Sequence, residues 1–155
     1  MSEMKNPWEE FDSFNPASFR GKEGAPVQWP LKLWKAPKVS PYYHRAHLLI
    51  AADCSAFSYA GFHDGCAAGK VLLICCPDTD FDIATRLSDI LKNNDILSVT
   101  VVKMAARCCG ELLEEVKQAL RICRKPIPLQ YTNLFISGEN LEEDAEDDWS
   151  RELRS

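Results

Sequence analysis

Three short apolar runs constrain the fold of this chain more than any other feature. His47–Ala52 (HLLIAA), Lys70–Cys76 (KVLLICC) and Ser98–Met104 (SVTVVKM) are each bounded by polar residues. Runs of that length read as strands buried on both faces, as in a parallel sheet. Leu129–Phe135 is a weaker fourth candidate. Between the runs lie two helical periodicities. Asp80–Asn93 carries Ile83, Leu87, Ile90 and Leu91 on one face, and Glu111–Arg124 carries Leu112, Val116, Ala119, Leu120 and Cys123, with Pro126 as a stop. Buried strands alternating with amphipathic helices imply right-handed crossovers. The expected fold is therefore a small three-layer α/β domain over residues 28–137, with a mainly parallel sheet of three or four strands.

The flanks read differently. Residues 1–27 form an irregular N-terminal arm. Pro7, Pro16, Pro26 and Pro30 interrupt any long helix, while Trp8, Phe11, Phe14 and Phe19 argue against a purely disordered leader. Val27–Trp34 (VQWPLKLW) reads as an extended segment packing on the domain. Residues 138–155 read as a solvated acidic tail. They hold eight acids against Arg151 and Arg154, whereas the whole chain has 18 Lys+Arg against 23 Asp+Glu for a net −5. The body is thus close to neutral, at 16 bases against 15 acids. No basic stripe with interleaved aromatics favours nucleic acid. No apolar run approaches the roughly 20 residues that span a bilayer. The acidic segment Met1–Asp12 has no signal-like apolar core, so the expected location is cytoplasmic.

Seven cysteines are many for a reducing compartment, and a disulfide framework is not expected there. Their placement is informative. In a parallel sheet all strand C-termini emerge at one edge, where ligand sites assemble. Cys54 follows the first strand, Cys75 and Cys76 end the second, and Cys108 and Cys109 follow the third. The helix after Gly110 should aim its N-terminus at the last pair and lower their pKa values. Four thiolates suit an iron–sulfur cluster or structural zinc, although adjacent cysteines fit the usual C-x₂₋₄-C zinc knuckle poorly. Thiol redox chemistry and simple burial are the other readings. Either Cys75 or Cys76 could be the second-strand ligand. Cys66 and Cys123 read as packing residues. His63, after Cys54, could reach the edge as a hydrogen-bond donor or a replacement ligand. An enzyme with Cys108 or Cys109 as nucleophile would have only His63 as a nearby base, so a catalytic role ranks behind a non-enzymatic one.

The blocks QWPLKLWKAP, LLIAADCSAF, GKVLLICCP, NNDILSVTVVKM and CCGEL occur in an order that resembles the C-terminal domain of 4Fe-4S ferredoxin-type iron–sulfur-binding proteins of anaerobic bacteria and archaea. The similarity runs from about Gln28 to Phe135. Such proteins carry a dicluster ferredoxin module ahead of this domain; here no cysteine precedes Cys54. Cys75 stands where the family pattern has glycine, and its CCGG reads CCGE. The resemblance implies a 4Fe-4S cluster held by Cys54, Cys76, Cys108 and Cys109. It also implies a redox accessory role, exchanging electrons with a partner ferredoxin or oxidoreductase subunit. The competing expectation is a non-enzymatic scaffold subunit whose cysteines bind zinc or no metal.

Overall fold

The computed structural model describes residues 29–135 and the strand Ala145–Asp147. The first two apolar runs form β1 (Ala46–Ala52) and β2 (Val71–Cys75). The third forms β3 (Ile96–Met104), and the weaker fourth forms β4 (Leu129–Leu134). The sheet order is β2-β1-β3-β4-β5, and the first four strands are all parallel. The three-layer α/β expectation is met. The fifth strand, β5 (Ala145–Asp147), lies within the residues read as an acidic tail and pairs antiparallel with β4. Its composition carries no strand signal, and only the pairing partner gives it one. The arm, residues 1–27, lies outside the described residues.

β1 is the centre of the structure. Leu48, Leu49, Ile50 and Ala51 are completely buried, so both faces of this strand are covered. One cover is a pair of helices, α2 (Ile83–Asn93) and α3 (Leu112–Cys123), packed side by side. Leu87, Ile90 and Leu91 of α2 and Val116, Ala119 and Leu120 of α3 are buried in the core. The β1–β2 crossover runs in the opposite direction along the sheet. Right-handedness therefore puts its short helix α1 (Ser55–Ser58) and the π-helical turn Phe62–Ala67 on the other face.

Distant residues help to close the ends of α2. α2 begins three residues later than the periodicity suggested, because Asp82 adopts a left-handed conformation (φ 54°). Its first turn is met by Glu115 of α3, whose Oε2 accepts from Ala84 N at 3.0 Å. At the other end, Lys125 Nζ donates to the carbonyls of Leu91 (2.8 Å), Lys92 (3.1 Å) and Asn94 (3.0 Å). That places a cation where orphan carbonyls and the negative end of the helix dipole meet. Arg124, with φ 57°, ends α3 one residue before Lys125.

The segment after the arm is built into the sheet. Leu33 N donates to Ile74 O (3.0 Å) and Ile74 N to Leu31 O (2.8 Å), so Leu31–Leu33 extends the outer edge of β2. Trp34 stacks on Phe81 with ring centroids 5.3 Å apart and donates from Nε1 to the Phe81 carbonyl. Arg86 lies over the Trp34 ring at 5.6 Å and donates to the carbonyls of Leu33 and Ala36. Tyr43, fully buried, donates its hydroxyl to Pro37 O at 3.0 Å. Burial holds this phenol protonated well above its ordinary value.

Truncating Ile50 to alanine removes packing on the fully covered central strand. The unfolding free energy should fall by about 2–5 kcal/mol in urea titration, while Lys35→Ala, on the surface, should change it by less than about 0.5 kcal/mol.

Candidate functional site at the C-terminal edge of the sheet

The chain leaves β1 toward β2 on one side, and later crosses back to place β3 on the other. Such a reversal opens a crevice beyond the C-terminal ends of the two strands between which it occurs. Here those strands are β1 and β3. Asp53 and Cys54 leave β1 at this point, and Ala105–Gly110 leaves β3. Cys76 emerges one strand away. Ala52 is paired with Cys75, so Asp53 and Cys76 lie level at the rim, and Asp53 N donates to Cys75 O at 3.0 Å.

Strand parity separates the two neighbouring cysteines of β2. Cys75 is the last strand residue and is fully buried. Burial pushes its thiol far above the usual cysteine range, with the charges of Asp53 and Asp80 adding to the effect. Cys76 lies past the strand and is half-buried. Of the two, Cys76 is the one available to a ligand.

The cysteines after β3 differ from the expectation in one respect. Cys108 and Cys109 belong to a 3₁₀ turn, Arg107–Cys109, and α3 starts only at Leu112. Cys108 is exposed and Cys109 is buried. The Cys109 thiol is raised rather than lowered: burial dominates, a backbone hydrogen bond at Met104 opposes it, and the neighbouring Cys108 adds to it. Cys76 contributes a smaller charge effect on the same thiol. Gly110 has φ −57°, open to any residue, although a Cβ there would stand 3.3 Å from Arg107 O.

Cys54 is exposed, and its carbonyl accepts from Ser58 Oγ at 2.9 Å. His63 is exposed on the π-helical turn, where its ring meets Phe62 edge-on at 5.4 Å. Cys66 is half-buried against the core, and Cys123 is buried with its Sγ donating to Leu120 O at 3.3 Å. Among the described residues, no three His, Cys, Asp or Glu side chains form a group arranged to hold a metal ion. By chemistry, the donor set at the edge, soft thiols from three connections, suits iron–sulfur or zinc ligation. Cys54 and the Arg107–Cys109 turn both lie outside the strands, so closing the set around a metal would require these connections to adjust while the sheet stays fixed.

Sequence reasoning missed the charged network beneath these cysteines. Lys32 Nζ lies 2.8 Å from Asp53 Oδ2 and 3.3 Å from Asp80 Oδ2. Asp80 Oδ2 also accepts from Cys76 N at 2.7 Å. One lysine thereby ties the β1 exit, the β2 exit and the N-terminal segment together. Asp53 Oδ1 is buried without a hydrogen-bond partner among the described residues. Burial lowers the Lys32 pKa, but Asp53 and then Asp80 outweigh it and the net shift is upward. The available signals were a lone lysine inside an apolar segment and an aspartate just beyond each of two strands.

An open, doubly wound α/β sheet with cysteines at the exits from its strands defines the class of this domain. A family model described as a Rossmann-like domain matches residues 40–150, and the chain belongs to that family. Comparisons with curated proteins and with solved structures each gave no match. Among the described residues, no helix is long and apolar enough to cross a membrane.

Two predictions follow from the thiols and the charge network. Cys75, Cys109, Tyr43 and Lys32 all have raised native values, so the folded chain holds protons that the unfolded chain releases above about pH 8.5 for thiols and about pH 10 for tyrosine and lysine. Stability present below those values is lost as pH rises through them. The urea midpoint should decline from about pH 8.5 upward, and less steeply in Cys75→Ala. Lys32→Met should lower stability near neutral pH by about 1 kcal/mol at most, since its ion pairs are about a third exposed.

Proposed function

We propose that this protein is a non-enzymatic redox accessory protein that carries a 4Fe-4S cluster at the C-terminal edge of its sheet and exchanges electrons with a partner ferredoxin or oxidoreductase subunit. The observation that supports the proposal is the emergence of Cys54, Cys76, Cys108 and Cys109 from three connections at the C-terminal edge, where the strand order reverses. Cys54, Cys76, Cys108 and Cys109 would hold the cluster. Bound there, it would supply one-electron chemistry.

The roles of the chain follow from the geometry. Cys76 is held in place by the Asp80 carboxylate on its own N–H, which Lys32 fixes in turn. Cys109 is buried, so its ligation would remove a thiol proton that burial otherwise retains. Cys54 and Cys108, both exposed, are the positions from which a partner could reach the site. The redox poise would depend on burial and on the nearby acids Asp53 and Asp80, because negative charge near a cluster disfavours its reduction.

Anaerobic purification followed by a visible spectrum and iron, zinc and sulfide analysis tests this reading. The expected result is a brown protein with about four irons and four sulfides that bleaches with dithionite. Cys76→Ser and Cys109→Ser should each abolish the colour, and Cys66→Ser and Cys123→Ser should retain it. Equal iron in all four variants would overturn the ligand set. Stoichiometric zinc without colour would make the cysteines a structural clasp in a scaffold subunit.

A further inference from the structure

The two edges of the sheet differ in charge and in apolar exposure. The stretches that leave β1, β2 and β3 toward the C-terminal edge (53–64, 76–82 and 105–111) carry Asp53, Asp64, Asp78, Asp80, Asp82 and Glu111 against Arg107, and Lys32 of the N-terminal segment pairs there with Asp53 and Asp80. At the opposite edge, Arg45 precedes β1, Lys70 precedes β2, Arg124 and Lys125 precede β4, and Asp95 precedes β3. The charge therefore runs from basic to acidic along the strands.

Apart from Trp29 on the N-terminal segment, the exposed aromatics among the described residues lie at the acidic edge. Phe57, on α1 just past Cys54, is 94% exposed. Phe81, on the β2 exit, is 74% exposed and stacks on the half-exposed Trp34. β1 and β2 are neighbours, so both phenylalanines border the exits that hold Cys54 and Cys76. The core has no use for an aromatic ring left this open. Together with an acidic surround, the rings have the composition of an interface centre within a charged rim.

We propose that this edge is a protein-docking surface whose occupant presents a basic face with an apolar centre, Phe57 and Phe81 forming the contact and Asp64, Asp78 and Asp82 steering the approach. Charge complementarity selects that occupant: the field at this edge attracts a basic surface and repels an acidic one, while the basic opposite edge orients the encounter. The proposal deepens the redox reading of the same edge by naming the surface chemistry of the electron-exchange partner.

Oxidised cytochrome c, a small basic protein, is the probe. Its binding to the full chain is measured by calorimetry at about 20 and 200 mM salt, on colourless metal-free protein and on any cluster-loaded protein. Binding should weaken with salt. Phe57→Ala and Asp78→Lys should each raise Kd by about fivefold or more. Asp95→Lys is the matched charge control, because Asp95 is exposed and immediately precedes β3 at the opposite edge, a strand length of about 20 Å away. It should change Kd by less than about twofold, since about 20 Å is beyond a Debye length at moderate salt. Unchanged circular dichroism secures folding of each variant.

An unaltered Kd in Phe57→Ala, an Asp95→Lys effect equal to that of Asp78→Lys, or no binding would overturn the docking surface. Concentration-dependent self-association in sedimentation, abolished by Phe57→Ala, would also overturn it and give the edge to a second copy of the chain. Binding without colour would sink only the cluster, and colour without binding only the docking surface.

Discussion

The structure depends on one constraint: a central parallel strand with both faces sealed from water. Leu48, Leu49, Ile50 and Ala51 of β1 admit no solvent, and the strand is hydrogen-bonded on both sides by β2 and β3. A chain satisfying this condition needs helices or turns on both faces and long crossovers between strands. It must also carry its polar chemistry to the sheet edges, because a buried unpaired charge is costly. The gathering of Asp53, Asp80, Lys32 and the edge cysteines beyond the strand ends follows from that exclusion.

At the edge, small differences in chain position have large chemical consequences. Cys75 and Cys76 are adjacent, yet one is a core thiol held protonated by burial and the other stands at the rim with its N–H on Asp80. Cys108 and Cys109 differ in the same way, one exposed and one buried. The Cys109 thiol sits in the short turn before α3, and burial is the largest influence on it. Lys32 joins two strand exits to a segment that is hydrogen-bonded to the sheet at Ile74.

Membership of the Rossmann-like domain family accounts for the architecture and for the position of the site, since ligands in open α/β sheets bind where the strand order reverses. It does not specify a ligand, because one such fold supports many chemistries. The first βα connection here, Asp53-Cys54-Ser55, has no glycine-rich phosphate loop. What distinguishes this chain is its soft donors and the acidic, aromatic rim around them.

The sequence by itself determined the strands, the two long helices and the edge at which the cysteines emerge. These are encoded locally, in apolar runs and in helical periodicity, and the parallel arrangement then dictates where strand ends lie. Tertiary structure alone decided which thiols face water, that Lys32 bridges Asp53 and Asp80, that Glu115 and Lys125 close the ends of α2, and that Ala145–Asp147 becomes a strand. Each of those joins residues far apart in the chain or depends on one residue of register. The energies involved belong to the contact and not to either residue, so composition and spacing carry no trace of them.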